Sequence, residues 1–126
     1  MKYTPAQIER YRRQKRISVI EKTLKNLYRL FRDDNCDIGS FGEAFGRLME
    51  RYEGVERVRL GASYPSESEK YIDWLREKME RREIEESEFD EFRLEQLGRL
   101  NRLQKLKNGT SYKKAKHRDS FSSDGW

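Results

Sequence analysis

Apolar residues recur at intervals of three and four along most of the chain, the spacing that places them on one face of an α-helix. The clearest stripe consists of Ile17, Ile20, Leu24, Leu27, Tyr28 and Phe31. Comparable stripes follow at 41–52, 71–79 and 89–106. No segment alternates cleanly between apolar and polar residues as a half-buried strand does. The pattern therefore predicts an all-α fold, a small bundle of three or four helices.

Capping signals give the expected helix starts, because a small polar side chain followed three residues later by a carboxylate or amide can satisfy free backbone N–H groups. Such pairs are Thr4 with Gln7, Ser40 with Glu43, Ser66 with Glu69 and Ser87 with Asp90. Pro5 suits a first helical position, and Gly54 and Gly109 suit helix ends. The predicted helices are 5–33, 41–53, 67–85 and 88–107, of which the last two could be continuous.

The end of the last predicted helix divides the chain into a folded domain and a tail. We expect one α-helical domain over 1–108 and a flexible basic tail over 109–126, where helical periodicity is lost. Leucines at every third position drift around the last helix, so the band they form is either central to the bundle or shared with a second chain. The candidate partner-interface residues are Leu97, Leu100, Leu103, Leu106 and the terminal Trp126.

Composition places the chain among small proteins with a limited core. It has 126 residues, of which 40% are charged, yet its net charge is only +5, so self-repulsion does not forbid a compact state. It has one cysteine and one histidine. Without an early apolar stretch of signal-peptide or membrane-span length, the expected location is the cytoplasm, without disulfides or membrane contact.

Charge is segregated along the chain. Residues 1–32 carry ten Lys or Arg and two Glu, and residues 98–126 carry eight Lys or Arg and two Asp. Residues 67–97 carry twelve acidic and six basic side chains. Both ends are therefore basic and the middle is acidic, which indicates interaction surfaces of opposite sign.

The basic ends are candidates for binding nucleic acid. The planar guanidinium of arginine can donate two hydrogen bonds to phosphate oxygens, and neighbouring tyrosines could stack on unpaired bases. The core stripe of the first helix, extended backwards from Ile17, reaches Arg13 and Arg10, so we expect the first turns to project beyond the body. The candidate binding residues are Arg10, Tyr11, Arg12, Arg13, Lys15 and Arg16 on the helix, and Tyr112, Lys113, Lys114, Lys116 and Arg118 in the tail. The expected function is that of a non-enzymatic accessory or regulatory protein that binds DNA or RNA.

Two alternatives remain open from the sequence. The basic first helix could pair with the acidic stretch 79–95, in which case its arginines would be internal complements in exposed ion pairs of low energy. The chain could also be a protein–protein adaptor or assembly module that uses the acidic middle and the leucine band, with self-association as one form of this.

Enzymatic and metal-binding motifs are weak or missing. Asp33, Asn35 and Asp37 have the spacing of a calcium loop, but Ile38 stands where that loop needs glycine and Ala44 where it needs glutamate. His117 lies among lysines of the tail, and Cys36 lies in an acidic stretch that disfavours a thiolate. We therefore expect neither catalysis nor a cofactor or metal.

Overall fold

A computed structural model of the chain describes residues 3–61 and 64–109, and within them it contains four α-helices, one 3₁₀ turn and no strand. The α-helices are α1 (Pro5–Arg32), α2 (Ile38–Glu53), α3 (Tyr64–Glu80) and α4 (Phe89–Gly109), and the 3₁₀ turn at Glu86–Glu88 leads into α4. The predicted all-α bundle is thus confirmed. The predicted tail is 109–126, but Gly109 is the last residue of α4. The rest of that tail, 110–126, lies outside the described residues, and with it Tyr112, Lys113, Lys114, Lys116, Arg118 and Trp126.

Helix α1 is the centre of the bundle, since it packs against α2, α3 and α4. Its predicted start is confirmed: the Thr4 hydroxyl accepts from the backbone N–H of Gln7 at 3.2 Å, and the Gln7 amide oxygen accepts from the Thr4 N–H at 2.9 Å. The apolar stripe is buried at Ile20, Leu24, Leu27 and Phe31.

Aromatic rings close the end of the bundle where α1 ends and α2 and α4 begin. The Phe31 ring stacks on Phe41 with centroids 4.8 Å apart and meets Phe92 edge-on at 6.1 Å. Phe45 and Phe89 extend the cluster on either side of Phe41, each with its centroid 5.5 Å away. Such ring pairs add about 0.5–1.5 kcal/mol each beyond the area they bury.

Three helices begin one to three residues away from their predicted starts. Helix α2 begins at Ile38 because the Asp37 carboxylate, rather than Ser40, caps it by accepting from the Ser40 N–H at 2.7 Å. Helix α3 begins at Tyr64, before Ser66, and α4 at Phe89 follows a 3₁₀ turn rather than a cap at Ser87. Local pairs of polar residues are common, and tertiary packing selects among them.

Helices α3 and α4 are separate, which answers the question of their continuity. Arg82 has φ +53°, in the left-handed region where an L-residue does not continue a right-handed helix. The segment after α2 contains Val55, Val58 and Leu60 but forms no strand, and Leu60 is buried against the bundle.

Candidate functional site

The first turns of α1 project beyond the body of the bundle, as the sequence predicts. Every residue from Tyr3 to Lys15 is exposed, and burial begins only at Arg16. Arg13 donates to the Leu60 carbonyl at 3.5 Å, and Arg12 meets the Glu56 carboxylate at 3.6 Å with both side chains more than half exposed. An exposed pair of this kind contributes about 0–1 kcal/mol, so both side chains are available to a ligand.

The exposed surface of α1 is basic from Arg10 to Arg32, not only at its first turns. Over the projecting first turns it runs round the whole helix, including the side on which Arg10 and Arg13 continue the core stripe, and after Arg16 it is the outward side alone. Between residues 10 and 32 the helix exposes eleven side chains, of which eight are cationic and none is acidic. We call this surface the α1 basic face; its cations are Arg10, Arg12, Arg13, Lys15, Lys22, Lys25, Arg29 and Arg32. At a rise of 1.5 Å per residue it is about 33 Å long. Among the described residues only Arg12 of this set forms an ion pair.

Arg16 does not belong to that face, and its assignment as a phosphate-binding residue is wrong. Its side chain is 0% exposed. The Nε–H donates to the Glu69 carboxylate at 2.8 Å, and Nη1 donates to the carbonyls of Tyr52 at 2.7 Å and Val55 at 3.1 Å. Its guanidinium also lies 4.2 Å from the centroid of the Tyr52 ring. A buried and bonded arginine is not available to a polyanion.

Arg16 acts instead as a C-terminal cap of α2, since the Tyr52 carbonyl lies in the last turn of that helix and the Val55 carbonyl lies just after its C-cap residue, Gly54. The last carbonyls of a helix have no intrahelical donor and carry partial negative charge. Arg93 does the same for α1: it is 6% exposed and donates to the Phe31 carbonyl at 2.7 Å. Sequence reasoning missed both roles, although Arg16 lies four residues before Ile20 and therefore on the buried stripe.

Carboxylates of α3 complete the cluster around Arg16. The Tyr52 hydroxyl donates to Asp73 at 2.9 Å, and Arg57 donates to both Asp73 oxygens at 2.8 Å. Burial alone would raise the pKa of Asp73, but the hydrogen bonds from Arg57 and Tyr52 outweigh it and hold that pKa below its usual value. Burial, followed by the hydrogen bond to Asp73, raises the pKa of the Tyr52 hydroxyl. Asp73 is therefore an anion and Tyr52 a neutral donor.

The alternative in which the first helix pairs with the acidic stretch 79–95 is not observed among the described residues. The ion pairs of α1 are with Glu69 of α3, with Glu56 and with Lys107 of α4. Acidic residues of the stretch instead pair with nearby cations of α3 and α4, for example Glu83 with Lys78 and Asp90 with Arg93. Apart from the pair of Arg12 with Glu56, the cations of the α1 basic face have no ion-pair partner in the part of the chain that the structure describes.

A cleft between α1 and α2 continues the basic surface onto the second helix. Arg29 of α1 and Arg47 and Arg51 of α2 line it together with Asn26, Leu30, Ala44 and Leu48, around a volume of about 220 Å³. All three arginines are exposed, no acidic residue lines the cleft, and none of the three has an ion pair among the described residues. Sequence reasoning missed this cleft because Arg29 lies 18 positions before Arg47 and 22 before Arg51 in the chain.

The leucines proposed as a partner interface do not form one continuous surface. Leu100 is 0% exposed and belongs to the core, so its assignment as an interface residue is wrong. Leu97 and Leu103 are half-buried against the core, while Leu106 is 41% exposed. Leu103 and Leu106 line a groove between α3 and α4 with Trp74, whose ring is covered by the Arg99 guanidinium at 4.2 Å. The band therefore serves mainly to attach α4 to the bundle.

The acidic turn between α1 and α2 is used for local structure. One Asp33 oxygen accepts from the Asn35 N–H at 2.9 Å, and Asp37 caps α2. Burial raises the pKa of the Cys36 thiol, and the carboxylates of Asp33 and Asp37 raise it further. Among the described residues no group of three or more His, Cys, Asp or Glu side chains is placed to hold a metal ion. Within the described chain no helix combines the length and apolar character needed to cross a membrane.

The chain matches no protein-family model, no curated protein and no solved structure.

Proposed function

We propose that this protein binds nucleic acid through the phosphate backbone, with the α1 basic face as the main contact, as a non-enzymatic accessory or regulatory factor. The observation that carries the proposal is the makeup of that face: eight of its eleven exposed side chains are cationic and none is acidic. Like charges three and four residues apart on a helix repel by about 0.2–0.5 kcal/mol per pair, a cost that a bound polyanion offsets.

The dimensions of the α1 basic face favour an extended anion over a small one. A length of about 33 Å is close to one turn of duplex, along which many phosphates are available. Neutralising them releases condensed counterions, which makes binding strong at low salt and steeply salt-dependent. Tyr11, 64% exposed at one end of the face, is placed to stack on a base of a single strand.

The adaptor alternative has less support. It rests on a leucine band of which Leu100 is core and Leu97 and Leu103 are half-buried. The exposed leucines that remain, Leu94 at 59% and Leu106 at 41%, are twelve residues apart. Scattered exposed leucines are normal on a monomer surface.

The test is a fluorescence-anisotropy titration with labelled single-stranded DNA, duplex DNA and RNA at several salt concentrations. The variant R10Q/R12Q/R13Q removes three cations of the α1 basic face and leaves the buried Arg16 intact. The control K70Q/R102Q/K105Q removes the same charge from exposed residues of α3 and α4. We expect saturable binding by the natural chain, and for the α1 variant a salt slope, d log K/d log[salt], smaller in magnitude by up to about 2.7, since each lost phosphate contact contributes about 0.9.

Two results would overturn the proposal. Equal weakening by both variants would mean generic attraction to a chain of net charge +5. Absence of binding at near-physiological salt to all three nucleic acids would remove the function altogether. Circular dichroism of both variants checks that the helices are retained.

A further inference from the structure

We infer that the cleft between α1 and α2 is a discrete phosphate-binding site in which Arg29, Arg47 and Arg51 together hold one phosphate group, an inference that rests on the proposed nucleic-acid binding. Within that function, the α1 basic face attracts the polyanion and the cleft fixes its position. The ligand class is a phosphodiester of the nucleic-acid backbone.

Convergence of the three side chains is the first argument. Arg47 and Arg51 are one turn apart on α2, and Arg29 reaches the same cleft from α1. Arginine carries its donors in a planar fork that matches phosphate geometry, so three forks around a volume of about 220 Å³ can engage several oxygens of one phosphate. Leu30 and Leu48 form an apolar wall of the cleft.

The absence of a folding role is the second argument. Cations in the last turn of a helix often stabilise its dipole, and Arg29 and Arg51 lie in the last turns of α1 and α2. Those two ends, however, already have buried caps, since Arg93 donates to the Phe31 carbonyl and Arg16 to the Tyr52 and Val55 carbonyls. Arg47, in the middle of α2, lies outside the last turn altogether.

Arginines elsewhere in α3 and in the segment before it have carboxylate partners, unlike the three arginines of the cleft. Arg57 and Arg76 each meet carboxylates: Arg57 meets Glu53 and Asp73, and Arg76 meets Glu53 and Glu80. The chain therefore provides acidic partners for arginines where they serve the fold. In the cleft it provides Asn26, whose side-chain amide donates to the Lys22 carbonyl at 2.9 Å, and no carboxylate. Among the described residues, the three arginines of the cleft are thus left without an ion-pair partner.

The distinguishing experiment repeats the salt titration with the variant R29Q/R47Q/R51Q beside R10Q/R12Q/R13Q and the control K70Q/R102Q/K105Q. Three arginines on one phosphate make one phosphate contact, so the slope should decrease in magnitude by only about 0.9 while affinity falls about 100-fold. The variant R10Q/R12Q/R13Q should instead lose up to about 2.7 in slope. Arg47→Lys, which keeps the charge and loses the fork, should weaken binding with little change in slope.

A second measurement is independent of nucleic acid. Titration of the natural chain with inorganic phosphate, followed by NMR of arginine Nε–H signals, should shift Arg29, Arg47 and Arg51 before the exposed Arg10 and Arg59. Uniform small shifts of all exposed arginines would overturn the cleft as a site.

The outcomes separate the two proposals. If R29Q/R47Q/R51Q behaves like the control while R10Q/R12Q/R13Q loses affinity, the cleft proposal fails and nucleic-acid binding stands. A slope loss of about 2.7 for the cleft variant would mean three independent contacts and would also refute a shared phosphate. If the natural chain binds no nucleic acid, the proposed function fails and the cleft loses its role within it. Thermal unfolding of each variant verifies that the fold is intact.

Discussion

Replacement of Arg16 by methionine should destabilise the fold severely. The change removes a fully buried guanidinium that donates to Glu69 at 2.8 Å and to the carbonyls of Tyr52 and Val55 at 2.7 and 3.1 Å. It leaves the Glu69 carboxylate without its principal partner and two carbonyls at the end of α2 without a donor. Breaking a buried charged pair by removing one partner costs about 3–5 kcal/mol, a large fraction of the roughly 5–15 kcal/mol that stabilises a domain.

The assay is urea unfolding of the natural chain, Arg16→Met, Glu69→Gln and the double variant, followed by circular dichroism. We expect a free-energy loss of about 3–5 kcal/mol for Arg16→Met. The loss for Glu69→Gln should be smaller, because the glutamine amide oxygen can still accept from Arg16 and the guanidinium keeps the carbonyls of Tyr52 and Val55. The double variant should be more stable than the sum of the single losses indicates, since it no longer buries an unpaired carboxylate.

A matched control keeps this reasoning falsifiable. Arg13→Met removes a cation three residues away on the same helix, but an exposed one with a single 3.5 Å contact, and should cost less than about 0.5 kcal/mol. If Arg16→Met also costs less than 1 kcal/mol, Arg16 is not a cap of α2 and its exclusion from the binding surface loses its basis.

Two further predictions concern α2 and α3. A Cβ placed on Gly46, within α2, meets no atom within 4 Å, so Gly46→Ala should stabilise the fold by about 0.5–1 kcal/mol in urea unfolding. The control is Gly54→Ala, where a Cβ would lie 3.1 Å from the Glu50 carbonyl oxygen. An equal gain in unfolding free energy for both variants would contradict the prediction. The pKa of Asp73 is lowered in the fold, so the stability that the Asp73 carboxylate contributes is complete above about pH 4 and is lost as pH falls through the lower folded pKa. Asp73→Asn should therefore lose less melting temperature than the natural chain when the pH is lowered below about 4. The same pH dependence of the melting temperature in both proteins would contradict this prediction.

The helical fold could be predicted from the sequence because it depends on local regularities. The three-and-four spacing from Ile20 to Phe31 requires a buried helical face wherever the helix packs, and Thr4, Pro5 and Gln7 start that helix by contacts within a single turn. Helix starts with competing local signals were predicted less well: Asp37 and Ser40 are both able to cap α2, and their positions in the chain do not decide between them.

The sequence by itself determined an all-α chain of three or four helices and a first helix rich in cations, since periodicity and charge are properties of single segments. Only the tertiary structure decided which cations are available. Arg12, Arg13 and Arg16 look alike in the chain, but the acceptors that bury Arg16 come from residues 36, 39 and 53 positions away. Likewise, Arg29 joins Arg47 and Arg51 only because α1 and α2 pack together. The burial of a charge depends on partners brought by the fold, and no local pattern contains them.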